Sequence, residues 1–439
     1  MSDGRTQEMS QQSARVPSRE ELAEWVMDAY RQTRLLLDDL SDEQLVGPQL
    51  DIVNPLLWEV GHVAWFHERW VLRDGGRKPS FLDHADRLYD SAAIDHDLRW
   101  DLPLPVRQAT FDYLRQVRDR VLDRLAQAGG SPQLEYFVQL GIFHQDMHNE
   151  AFTYTRQTHA YPPPPQAQGA PAAGAAPLPA GDVEVAGGSF RLGAERDAGF
   201  VFDNEKWAHE VRVEPFAIAR AAVTEGEFRD FVDDGGYRRR ELWSAAGWRW
   251  RQQAAAEQPL HWRRQDGVWQ RRIFDRWQPL DPQRTMIHVN WHEAQAYCRW
   301  AGRRLPTEAE WELAAAGSAG GAAKRRFPWG DEAPSPERAN LDWQGGYVVD
   351  AAAHPAGDSA DGCRQMIGNA WEWTASDFEP YPGFEPDPYK EYSAPWFGTH
   401  KVLRGGAWTT RSRMLRNTWR NYYTPDRRDV WAGFRTCRR

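Results

Sequence analysis

The stretch SPQLEYFVQLGIFHQDMHNEAFTYTRQ, Ser131 to Gln157, decides how the first third of the chain folds. Ser131 followed by Pro132 is a helix start, a capping hydroxyl and then a residue whose missing N–H costs nothing at the first helical position. Apolar residues then recur at helical spacing as far as Tyr154. Within it, His144 and His148 stand at i and i+4, so a helix sets both imidazoles on one face, about 6 Å apart along the axis. Three more segments have the same period: SREELAEWVMDAYRQTRLLLDDL from Ser18, with Glu21 completing a capping box; PLLWEVGHVAWFHERWVLRD from Pro55; and PVRQATFDYLRQVRDRVLDRLAQAGG from Pro105. Four such helices with short connections predict an antiparallel bundle over residues 18–160.

Two imidazoles one turn apart can reach a common metal ion if another helix supplies a third ligand. His62, on the apolar helix WEVGHVAWF, is the best candidate, and His67 is a rival pointing elsewhere on that helix. Glu150, two residues past His148, is a candidate acceptor for a ring N–H. The same spacing also describes a solvated helix face with a satisfied core histidine at 62, and spacing alone leaves that open. Three neutral nitrogen ligands with open positions suit catalytic Zn or non-haem Fe(II).

The whole chain has 439 residues, 41% of them hydrophobic and 27% charged, which excludes a wholly disordered or collagen-like chain and implies two domains. No apolar run approaches the roughly 20 residues that cross a bilayer. The polar start, MSDGRTQEMSQQSARVP, reads as a disordered leader over residues 1–17 and not as a secretory signal. Three scattered cysteines, Cys298, Cys363 and Cys437, give no disulfide framework and fit a reducing, cytoplasmic setting. A net charge of −9 argues against a nucleic-acid partner. The 23 tryptophans suit an aromatic-lined cleft as well as an irregular core.

Residues 161–182, rich in Pro, Ala and Gly, read as an interdomain linker. From Val183 to Arg439, short strand-like runs (VEVAGGSFRLGA, HEVRVEPFAIAR) alternate with turns, interrupted by the helical TEGEFRDFVDDGG, WHEAQAYCRWAG and TEAEWELAAAG. This predicts an α+β domain with long ordered loops. NWHEAQAYCRWAGRRLPTEAEWELAAAG, FPWGDE, ANLDW, GNAWEWTAS, VLRGGAW and WAGFRTC occur in that order. Together they resemble the formylglycine-generating-enzyme (sulfatase-modifying-factor) domain, which implies a C-type-lectin-like fold. The copper-binding cysteine pair of that family's oxidases has no counterpart in AWTTRSRMLRNTWRNYY, so formylglycine generation is not expected.

The combination with a three-histidine bundle resembles the EgtB type of non-haem iron sulfoxide synthase, whose first domain is a DinB-like four-helix bundle. Trp58, His62, Trp65 and Phe66 match its first histidine motif, and His144, His148 and Glu150 match its H-x-x-x-H-x-E signature. The resemblance implies Fe(2+) held by His62, His144 and His148, small-molecule substrates including O2, and bond formation at C2 of the imidazole of hercynine, a trimethylated histidine. It implies that Asn421, after Arg420 in the R-N motif, contacts hercynine, and that Tyr389 or Tyr392 gives a proton. Asn340, Asp342 and Asn369 lie where relatives hold a structural Ca(2+), and they also suit turn caps.

Several positions depart from the sulfur enzymes. Met147 replaces a glutamine, Tyr422 and Tyr423 stand where an Asp follows the R-N motif, and only Arg87 and Arg99 lie between Lys78 and Arg107. A cysteine-type donor needs cationic groups for its carboxylates. Aromatic, uncharged replacements suit a sugar, so the chain most resembles the selenoneine synthase (SenA) branch, whose donor is a selenosugar. The alternatives are ergothioneine-type sulfoxide synthesis with cysteine or γ-glutamylcysteine, a DinB-type zinc hydrolase or thiol transferase, and a non-enzymatic binding module.

Overall fold

In the computed structural model, residues 16–127, 129–168, 181–317 and 324–439 are described. Most of the expected leader and residues 169–180 of the expected linker lie outside them. Four long helices form the N-terminal part: α1 (Arg19–Leu37), α2 (Leu56–His67), α3 (Arg107–Gln127) and α4 (Pro132–Thr158). The starts follow the local chemistry. Ser18 accepts from Glu21 N while Glu21 accepts from Ser18 N, and Ser131 accepts from Leu134 N ahead of Pro132. The second helix differs from the expected single run. It is α-helical only to His67 and continues as a π-helix over Glu68–Leu72. The buried Glu68 carboxylate there accepts from Ser80 Oγ and Phe81 N, both at 3.0 Å, fastening the segment that follows.

That segment returns as a short helix, Ala85–Tyr89, packed against α2. Gly61 makes the approach possible: a Cβ there would meet the Tyr89 ring at 2.2 Å.

The C-terminal part contains two four-stranded sheets. One runs Asp182–Val185, Phe216–Ala219, Cys437–Arg438, Arg303–Arg304, which brings the last residues beside the first strand. The other runs Asn421–Tyr423, Lys401–Arg404, Trp371–Asp377, Ala432–Gly433, with the last pair parallel. The three expected helices are Glu225–Asp233, Trp291–Trp300 and Glu308–Ala316; a fourth, Ala245–Gln253, was not anticipated. Seven tryptophans are almost fully buried, so much of the Trp content serves the core. The cysteines are all free and buried.

The seam between the two parts is built on α4. Trp371 Nε1 donates to Glu150 Oε1 at 2.7 Å and Thr410 donates to the other oxygen. Trp343 Nε1 donates to Thr153 at 3.1 Å, and Arg413 grips Asp146 through two bonds of 2.7 Å. The backbone N–H of Phe274 donates to Gln157 Oε1 at 2.6 Å. α4 thus carries two of the histidines, packs on α1 and α2, and bonds to the second domain through Asp146, Glu150, Thr153 and Gln157.

Candidate active site at the domain seam

Among the described residues, His62, His144 and His148 form a group with ligand-capable atoms within 4.8 Å of one another. His62 comes from α2, the other two from α4, and His62 Nε2 lies 3.3 Å from His144 Nε2. Each ring is braced differently. His62 Nδ1 is 2.7 Å from the Tyr89 carbonyl, which fixes the proton on Nδ1 and leaves the Nε2 lone pair facing the group. His148 Nδ1 lies 3.2 Å from Glu59 Oε2. His144 Nδ1 has no hydrogen-bond partner, but its ring lies flat on Phe66, with centroids 3.7 Å apart. Trp58 stacks on the far face of His62 at 5.0 Å.

Burial pushes His62 and His144 well below the ordinary imidazole range, and the neighbouring His148 adds to it. Neutral rings with converging lone pairs are the donor set a divalent metal requires, so the residues fit such an ion. His62 and His144 are about 3–4% exposed while the His148 side chain retains 18%, so the group opens on the His148 side. His67 is elsewhere: its Nε2 meets Gln145 at 3.1 Å in the bundle core.

The second domain supplies aromatic walls. Tyr389 packs edge-on to Phe66 at 4.9 Å and lies 6.1 Å from the His144 ring, centroid to centroid. Burial raises its phenol well above the ordinary value, so it carries its proton at neutral pH. Tyr392 stacks on Phe202 at 4.3 Å, and its hydroxyl lies 3.8 Å from the Met147 sulfur. Tyr422 lies on Phe378 at 4.0 Å and donates its hydroxyl to the Tyr392 carbonyl. Asn421 accepts from Tyr422 N at 2.8 Å. Burial raises the Tyr423 phenol, with the Glu150 carboxylate adding to it, and the Arg427 guanidinium lies over its ring at 5.2 Å.

Two expectations need correction. Glu150 does not accept from a histidine; its two oxygens are taken by Trp371 and Thr410. Two residues past His148 is about 200° around a helix, so it points away from the histidine face. Glu59 does what Glu150 was expected to do. The signal for it was present, a carboxylate three residues before His62 and hence near the same face. Arg420 is not available to a substrate: it is 1% exposed and bonds to Glu308, the Asn204 carbonyl and the Glu379 carbonyl. Asn340 Oδ1 accepts from Gly345 N, five residues on, whereas Asp342 Oδ1 accepts from Ser412 N and Asn369 Oδ1 from Val349 N, so the latter two oxygens tie separate segments together.

Two family models match the chain: the DinB superfamily over residues 26–151 and the sulfatase-modifying factor enzyme 1-like domain over residues 168–439. The hercynine oxygenase of Mycolicibacterium thermoresistibile is 38% identical over 436 residues, 96% of this chain and 95% of that protein. That of Mycobacterium tuberculosis is 38% identical over 409 residues, 92% of this chain and 96% of that protein. The formylglycine-generating enzyme of Streptomyces coelicolor is 34% identical over 307 residues, 60% of this chain and 93% of that protein. A helical DinB-type part carrying a histidine triad, joined to a sulfatase-modifying-factor part, defines an oxidoreductase of the EgtB type. The chain belongs to the hercynine oxygenase family. No helix among the described residues is long and apolar enough to cross a membrane.

Proposed function

We propose that this enzyme binds Fe(2+) through His62, His144 and His148 and uses O2 to form a carbon–chalcogen bond at C2 of the hercynine imidazole, with a selenosugar as donor. The observation that carries the reading is the histidine triad at the seam, with the protonated phenol of Tyr389 one ring away from His144, in a chain alike throughout to proteins named hercynine oxygenases. Bound iron would supply O2 activation and a point at which the substrates meet. The protein's share is positioning and proton control. Tyr389 is the proton donor in this reading, since burial keeps its phenol protonated beside the site. Tyr392, held against Phe202 and Met147, is a wall residue. Asn421 contacts hercynine, and the aromatic surface around it, Tyr422 and Tyr423 included, suits a quaternary ammonium group.

The selenium assignment rests on how the charged groups are used. Arg87 is exposed on the surface. Arg99 donates to Asn54 at 2.6 Å and lies over Trp58 at 4.2 Å, so neither arginine is free to clamp a donor carboxylate at the site. A desolvated dicarboxylate would be left unpaired, at a cost of several kcal/mol. A sugar can stack and hydrogen-bond instead. The second reading is sulfoxide synthesis with cysteine or γ-glutamylcysteine; the relatives, named hercynine oxygenases, support action on hercynine under either reading. Competition among a selenosugar, its sulfur analogue, cysteine and γ-glutamylcysteine under limiting hercynine and air decides between them. Dominance of a cysteine-derived product would sink the selenium reading and leave the family intact.

A further inference from the structure

The route from Arg99 to the histidines runs in two directions. Arg99 Nη1 donates to Asn54 Oδ1 at 2.6 Å, Asn54 Nδ2 donates to Glu59 Oε1 at 2.7 Å, and Glu59 Oε2 lies 3.2 Å from His148 Nδ1. The same guanidinium lies over the Trp58 ring at 4.2 Å, and that ring is stacked within 9° of parallel on His62. Glu59 is 3% exposed, and no cation contacts it directly among the described residues except His148 when protonated. A permanent positive charge, the Arg99 guanidinium, stands behind Asn54. Arg99 itself is tied down, with Nη2 directed at the carbonyls of Ser91 and Ile94, at 3.4 and 3.3 Å.

We propose that Glu59 is a positioning residue that sets the tautomer and angle of His148, and that Arg99, acting through Asn54 and Trp58, braces Glu59 and His62 together. The inference rests on the metal reading above. A carboxylate on Nδ1 holds the proton there, leaves the Nε2 lone pair for a metal and makes the ring a stronger donor. Of the three rings, this is the one held by a carboxylate: His62 has a carbonyl and His144 only a stacked phenyl ring. His148 is also the most exposed of the three, and so the one most in need of an external hold. The arrangement gives Arg99 a task unrelated to any donor carboxylate.

The test is anaerobic Co(2+) titration, followed by visible absorption, of the full chain and of Glu59→Gln, Asn54→Ala and Arg99→Leu. Ser18→Ala, which removes the capping bond at the start of α1, is the control. Nitrogen-15 NMR of the metal-free proteins reads the His148 tautomer. Glu59→Gln should weaken Co(2+) binding by about 10–100-fold, change the absorption envelope and release the Nδ1–H tautomer, with the control unchanged. Arg99→Leu should give a smaller loss, and a still smaller one in the Glu59→Gln background, where only the route through Trp58 to His62 remains. Wild-type affinity and spectrum in Glu59→Gln, or an unchanged tautomer, would overturn the proposal. Failure of the wild-type protein to bind Co(2+) would overturn the metal reading instead, and the tautomer measurement would still decide the role of Glu59.

Discussion

Replacing Arg413 with alanine isolates the strongest charged contact across the seam. Its guanidinium forms two parallel bonds of 2.7 Å to Asp146 and a third of 2.7 Å to Asp28. The Asp146 side chain is 0% exposed and that of Arg413 8%, whereas Asp28 is a third exposed and is given no share of the energy. Removing the arginine leaves one fully buried carboxylate without its counter-ion, which costs about 3–5 kcal/mol. Urea unfolding followed by far-ultraviolet circular dichroism at neutral pH measures the loss. Burial already raises the Asp146 carboxyl, and Arg413 is the first influence that lowers it again. In Arg413→Ala the folded-state value rises further above the unfolded value of about 3.9. A raised carboxyl adds stability that is complete below the unfolded value and lost as pH climbs through the folded one. The variant should therefore be weakest at neutral pH and recover on acidification. Adding Asp146→Asn should restore part of the loss at neutral pH. A single-variant loss below about 1 kcal/mol, or a double variant no more stable than the single, would refute the reasoning.

Tyr389→Phe should slow product formation by about 10²–10⁴-fold, as expected for losing a positioned proton donor, with hercynine affinity unchanged by calorimetry. Asn421→Ala should weaken hercynine binding by roughly 10-fold, the worth of one good hydrogen bond, and leave metal content by mass spectrometry unchanged. Gly61→Ala puts a methyl 2.2 Å from the Tyr89 ring, so the short helix must retreat and withdraw its carbonyl from His62. That variant should lose about 1–3 kcal/mol by thermal unfolding and bind metal more weakly.

The long helices of the bundle were legible because their ends are written locally: a capping box at Ser18, Pro after Ser131, and apolar residues at helical spacing. The π-helix over Glu68–Leu72 was not, because its cause is tertiary, the reach of Glu68 to Ser80 and Phe81. The same division runs through the site. His144 and His148 are paired by helix periodicity alone. His62 is preferred to His67 already in the sequence, from the apolar helix it sits on, and the fold aims one ring at His144 and the other at Gln145. Glu150 was misread because closeness in sequence was taken for closeness in space. Arg420 was misread because a family motif does not say which of its residues face the ligand and which hold the strand.

The most direct test of the account uses hercynine deuterated at C2, given with a selenosugar under air to the iron(II)-loaded protein and to His144→Ala. High-resolution mass spectrometry reads the product. The account predicts a hercynine–selenium adduct that has lost the C2 deuterium, formed by the wild-type protein and absent with His144→Ala. Hercynine recovered with its deuterium intact, or equal product from both proteins, would contradict it.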